Sequence, residues 1–105
     1  MVDAGWHHIG KVGDLSPGTI AAREIGQRRL ALINHDGQLF ALDAVCPHKM
    51  GNLADGKLVL GELACPLHGF RYCLETGESA VPKDVPGVRS YELRVEGEDV
   101  FVALP

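Results

Sequence analysis

Cys46-Pro47-His48 and Cys65-Pro66-Leu67-His68 each set a thiol and an imidazole close together, and sixteen residues separate His48 from Cys65. Thiolate and neutral imidazole are both good transition-metal ligands, so two matching loops of this kind point to one shared metal centre. That requirement constrains the fold more than any other feature. Whatever elements flank the loops must bring two separate stretches of chain to the same point.

Two alternatives compete with a redox centre. A structural zinc site also takes two cysteines and two histidines, and a zinc-stabilised interaction module is the reading of another class. Zinc modules usually space their paired ligands two to four residues apart, whereas the first pair here has a single intervening residue and both pairs mix Cys with His. The blander alternative makes the cysteines small buried hydrophobes and the histidines surface groups. Two proline-bearing loops of the same design speak against that.

The chain has 105 residues, enough for one small domain with a single core. Three cysteines are an odd number, and with Met1 to Trp6 lacking the apolar run of a secretory signal, the expected compartment is the cytoplasm. Reducing conditions there disfavour disulfides, which strengthens metal ligation as the role of at least two thiols. A net charge of -4 without a Lys/Arg run argues against nucleic acid as a partner. No apolar stretch approaches the ~20 residues of a membrane-spanning helix, so no membrane association is expected.

Turn signals alternate with short β-prone runs, the pattern of an all-β antiparallel barrel or sandwich. Strands are expected over Thr19 to Ile25, Arg29 to Asn34 and Leu39 to Asp43, joined at Gly26-Gln27 and at the Asp36-Gly37 turn. Leu30, Leu32 and Asn34 should share one face. Further strands are expected over Lys57 to Leu60, Glu62 to Ala64, Ser90 to Glu96 and Val100 to Leu104. The stretch from about 45 to 77 holds both Cys/His loops and reads as a subdomain inserted in a base domain, within one domain of 1–105. Pro82 and Pro86 stiffen the loop that follows it.

Cys46-Pro47-His48, a sixteen-residue spacer and Cys65-Pro66-Leu67-His68-Gly69 together resemble the signature of the Rieske iron-sulfur family. Gly56, Tyr72 and the Thr76-Gly77 turn also look like family positions, and the outer strands fit the family's base domain. The resemblance implies one Rieske 2Fe-2S cluster, with Cys46 and Cys65 on the inner iron, His48 and His68 on the outer iron, and the Pro82 to Gly87 loop covering them. Histidine in place of two thiolates raises the reduction potential relative to an all-cysteine cluster.

Relatives resembling the respiratory-chain Rieske protein have an extra cysteine in each ligand loop and a serine after the second histidine. Gly51, Leu67 and Phe70 stand at those positions, so that disulfide is impossible and one hydrogen bond to the cluster sulfurs is lost. Fewer such bonds lower the potential, which implies a value near the low end of the Rieske range, roughly -150 mV. A low-potential Rieske domain standing alone resembles the ferredoxin component of bacterial ring-hydroxylating oxygenases. It would be an electron carrier and not an enzyme, taking electrons from a flavin-containing NAD(P)H reductase and passing them to a terminal oxygenase. The alternative is the small subunit of an NAD(P)H-dependent nitrite reductase, whose partner would be the reductase's large subunit. An oxygenase's own N-terminal domain is not expected at this length, because its mononuclear iron needs two more histidines and a carboxylate, and only His7, His8 and His35 remain.

Cys73 should face away from Tyr72, as a packed thiol or as a further sulfur tuning the cluster. Of His7 and His8, at most one can point inward. Met50, Leu67 and Phe70 either shield the cluster sulfurs or, ringed by Lys49 and Lys83, form a docking rim. Glu92, Glu96, Glu98 and Asp99 read as a solvated face.

Overall fold

The computed structural model describes residues 5–45, 52–66, 70–81 and 85–104. Eleven strands form three antiparallel sheets, and no α-helix occurs among the described residues. The strands are β1 (Trp6–Lys11), β2 (Thr19–Ile25), β3 (Arg28–His35), β4 (Gln38–Asp43), β5 (Lys57–Val59), β6 (Glu62–Ala64), β7 (Arg71–Cys73), β8 (Ser79–Val81), β9 (Ser90–Tyr91), β10 (Leu93–Glu96) and β11 (Asp99–Ala103). Their orders are β1-β11-β10, β2-β3-β4-β9 and β5-β6-β7-β8.

The all-β expectation holds, and the β2-β3-β4 meander follows its turn chemistry. His35 pairs with Gln38 across Asp36 and Gly37, whose φ angles of 53° and 90° are those that a two-residue hairpin turn requires. Leu30 and Leu32 face one way, as expected, but Ala31 and Ile33 on the other face are equally buried. The reason is that β3 divides two cores. Leu30 and Leu32 pack with Ile9, Ala41, Val100 and Val102 towards the first sheet, whereas Ala31 and Ile33 pack with Leu42, Leu63 and Tyr72 towards the third. Asn34 continues the first face and is held by its amide, which donates to the Leu15 carbonyl at 3.0 Å.

Four expectations change. Ser90 to Glu96 is not one strand: Ser90 and Tyr91 pair with β4, and from Leu93 the chain pairs with β11 in a different sheet. Alternating side chains can serve two sheets in succession, so periodicity alone does not reveal the break. Leu60 leaves β5 for a turn at φ 52°, and the last strand runs from Asp99 to Ala103. The stretch after the second Cys/His loop is more regular than expected, because β7 and β8 join β5 and β6 in the third sheet.

His8 is exposed, with Nε2 3.0 Å from Asp99 Oδ1 and its ring edge-on to Phe101. His7 is half-buried. Of the expected acidic face, Glu96 pairs with Arg94. No helix of the described residues is long and apolar enough to cross a membrane.

Candidate metal centre

The chain passes from the end of β4 into the first Cys/His segment. The Asp43 amide donates to the Arg89 carbonyl at 2.9 Å, the Ala44 amide to Arg29 at 2.9 Å, and the Leu53 amide to Ala44 at 2.6 Å. Val45 and Asn52 then form an isolated antiparallel bridge, which closes a neck around residues 46–51. Beyond it, Leu53–Asp55 form a single 3-10 turn capped by the Asn52 side chain, which accepts from the Ala54 amide at 3.0 Å. A short polar side chain at this position satisfies an amide that the turn leaves without a partner.

The second loop is built the same way. Ala64 pairs with Arg71 across β6 and β7, and the Cys65 amide donates to the Phe70 carbonyl at 2.7 Å. Cys65 therefore sits at the neck itself, only 3 % exposed. Its face of the sheet is that of Leu63 and the fully buried Tyr72, which stand opposite each other in the ladder.

Both necks enter one apolar core, since Ala44, Leu53, Cys65 and Tyr72 belong to it and Phe70 packs against it. Gly56 fixes one neck against the other. A β-carbon there would overlap the Ala64 carbonyl oxygen and come within 3.1 Å of the Leu53 carbonyl oxygen. The chain leaving the first loop thus lies against the residue preceding Cys65. A third segment is held alongside: the Val88 amide donates to the Gly77 carbonyl at 2.7 Å, and a β-carbon on Gly77 or Gly87 would overlap the opposing backbone. Gly77 also has φ 78°, so it meets both a steric and a conformational demand for glycine.

Of the four expected ligands, Cys65 lies where a sulfur donor shielded from water would be wanted. Cys46, His48 and His68 lie outside the described residues, as do Lys49, Met50, Gly51, Leu67, Gly69, Pro82 and Lys83. Phe70 is half-buried and packs inward, which favours the shielding role over a docking rim. The chemistry of the expected donor set, two thiols and two imidazoles, fits an iron-sulfur cluster, and the apolar core around Cys65 would exclude water from it and moderate its potential.

Cys73 lies on the opposite face of β7 from Tyr72 and Cys65, which removes it from a role as a further sulfur at the centre. It borders a cleft of about 490 Å³ with Glu78, Ser79, Val85 and Gly87. The Thr76 hydroxyl and the Thr76 amide donate to its sulfur and hold the thiol below its usual range, against the opposing effect of burial.

Sequence reasoning missed the pairing of Tyr91 with Asp43. The phenol donates to Asp43 Oδ1 at 2.6 Å and accepts from Arg28 Nη1 at 3.1 Å. Burial, reinforced by the Asp43 carboxylate, pushes the phenol above its usual range. No local signal announces a pair 48 residues apart in sequence.

Comparison with known proteins agrees with this geometry. The model of the Rieske 2Fe-2S domain matches residues 5–101. The ferredoxin component of biphenyl 2,3-dioxygenase from Rhodococcus jostii is 36% identical over 93 residues, covering 88% of this chain and 86% of that protein. Among solved structures, the ferredoxin of carbazole 1,9a-dioxygenase from Nocardioides aromaticivorans superposes with a TM-score of 0.88 at 26% identity, covering 97% of this chain and all of that one. A protein described as the NADH-dependent nitrite reductase small subunit from Mycobacterium tuberculosis gives a TM-score of 0.87 at 20% identity, covering 95% of each chain, a likeness of fold alone. The paired necks, the buried Cys65 at the second of them and a family match over nearly the whole length lead to one conclusion: this chain belongs to the Rieske 2Fe-2S domain family.

Proposed function

We propose that this protein is a soluble electron carrier. Its Cys46, His48, Cys65 and His68 hold one Rieske 2Fe-2S cluster, and single electrons pass from a flavin-containing NAD(P)H reductase to a terminal ring-hydroxylating oxygenase. The protein transforms no substrate of its own. The observation that carries this reading is the convergence of two ligand-loop necks on one apolar core with Cys65 buried at the second neck. The likeness to ferredoxin components of dioxygenases supports the choice of partners.

The cluster, when bound, accepts and releases one electron. The chain's own residues supply the rest. The necks hold the two ends of each Cys/His segment, and Tyr72, Leu63 and Phe70 keep water from the Cys65 side. We take the third sheet with its two loops, approximately residues 45–77 and the adjoining β8, as the cluster-binding subdomain inserted in a base domain formed by the other two sheets. The compartment we assign is the cytoplasm, whose reducing conditions suit chain thiols that ligate metal.

Purified protein tests the reading directly. Two irons per chain, red-brown colour, reduction by a flavin reductase with NAD(P)H and reoxidation by a ring-hydroxylating oxygenase are expected. A colourless protein with one zinc would instead make it a zinc-stabilised interaction module. Electron delivery to a sirohaem nitrite reductase but not to an oxygenase would select the nitrite reductase alternative.

A further inference from the structure

The first ligand loop begins three residues after Asp43, at the end of β4. Backbone bonds hold this end from two sides, through Arg89 and Arg29. A side-chain device adds to them. Asp43 stands opposite Leu30, and Tyr91 opposite Ala41, so strand alternation puts Arg28, Asp43 and Tyr91 on the same face of the second sheet. Their polar tips meet there: Arg28 donates to the Tyr91 oxygen and Tyr91 donates to Asp43.

Tyr91 is 9 % exposed and belongs to the base-domain core with Leu30, Ala41, Val100 and Val102. Asp43 is the last residue of its strand, where the chain passes from that core into the other one through Ala44. The phenol is therefore a rigid strut whose foot is in one core and whose tip holds the root of a loop belonging to the other. A phenol held above its usual range stays a donor at every pH at which the protein works. A 2.6 Å bond to a carboxylate is of the strong, charge-assisted kind.

We propose that Tyr91 is a positioning residue for the metal centre: with Arg28 behind it, its hydroxyl holds Asp43 and so fixes the root of the loop that carries Cys46 and His48. This rests on the reading of the chain as a cluster carrier. Nothing in the proposal needs Tyr91 to touch the cluster.

Tyr91→Phe keeps the ring in the core and removes only the strut's tip. Val102→Ala, in the same core on β11, serves as a measure of simple destabilisation. The readouts are the rate at which visible colour is lost in excess chelator, the midpoint potential, and Tm. Tyr91→Phe should lose colour about tenfold faster than Val102→Ala at equal distance below Tm, as expected for losing a hydrogen bond to a charged group. Its midpoint potential should also move, while that of Val102→Ala stays at the wild-type value. Asp43→Asn, which keeps an acceptor for the phenol but not its charge, should lose colour at a rate between those of the wild type and Tyr91→Phe, and Asp43→Ala should match Tyr91→Phe. If Tyr91→Phe does not fold, the two Asp43 variants decide alone. Equal rates and unchanged potentials in a two-iron protein would overturn the positioning role, whereas a wild-type protein without two irons would overturn the carrier reading instead.

Discussion

The backbone of Gly56 passes so close to the carbonyl of Ala64 that no side-chain carbon fits between them. Gly56 ends the turn that follows the first ligand loop, and Ala64 precedes Cys65 at the second. Their contact sets the distance between the two necks. Because Gly56 has φ -79°, the demand for glycine here is for space and not for an unusual backbone angle. Gly56→Ala should cost about 1–3 kcal/mol, the usual range for an overpacked site. Iron content should fall further than stability alone explains, since the added methyl drives the loops apart, and iron analysis beside thermal unfolding checks this.

Gly77→Ala meets two penalties at once. A non-glycine residue at a left-handed φ costs about 1–2 kcal/mol, and the β-carbon also overlaps the Val88 carbonyl oxygen. Tm should drop by several degrees, given roughly 4–8 °C per kcal/mol in a domain of this size. The 85–88 segment, released from its bond to Gly77, should become the first site of cleavage in limited proteolysis.

Cys73 should react with iodoacetamide at lower pH than an unstructured cysteine does. The Thr76 hydroxyl and amide favour its thiolate, so the folded value lies below the unfolded one. The resulting stabilisation is complete above the unfolded thiol's pKa and is lost as pH falls through the folded value. Thr76→Val removes the hydroxyl donor and should move the alkylation profile to higher pH. An unmoved profile would contradict the assignment.

Protein-film voltammetry should place the midpoint potential near the low end of the Rieske range, roughly -150 mV. Phe70→Ser introduces a hydroxyl where the resemblance implies that higher-potential members carry one, and the potential should rise. A wild-type value well above zero would contradict the low-potential assignment. Some stability will be lost with the ring, because Phe70 packs against the core shared by the two necks.

Local signals carried much of this protein. The Cys/His spacing, with Gly69, Tyr72 and Thr76-Gly77 around it, is chemistry written into neighbouring residues, so the family and the expected ligands are legible in the sequence. The β2-β3-β4 meander was legible for the same reason, since the Asp36-Gly37 turn and the alternation beside it are short-range effects.

What tertiary structure decided lies between segments distant in sequence. Burial of both faces of β3, the passage of Ser90 to Glu96 from one sheet to another, the Gly56 contact with Ala64 and the Tyr91 bond to Asp43 each depend on which surfaces meet. Periodicity states that a residue faces a side, but not what covers that side. The sequence by itself determined which atoms could bind a metal; packing across the two cores determined how the roots of their loops are held together.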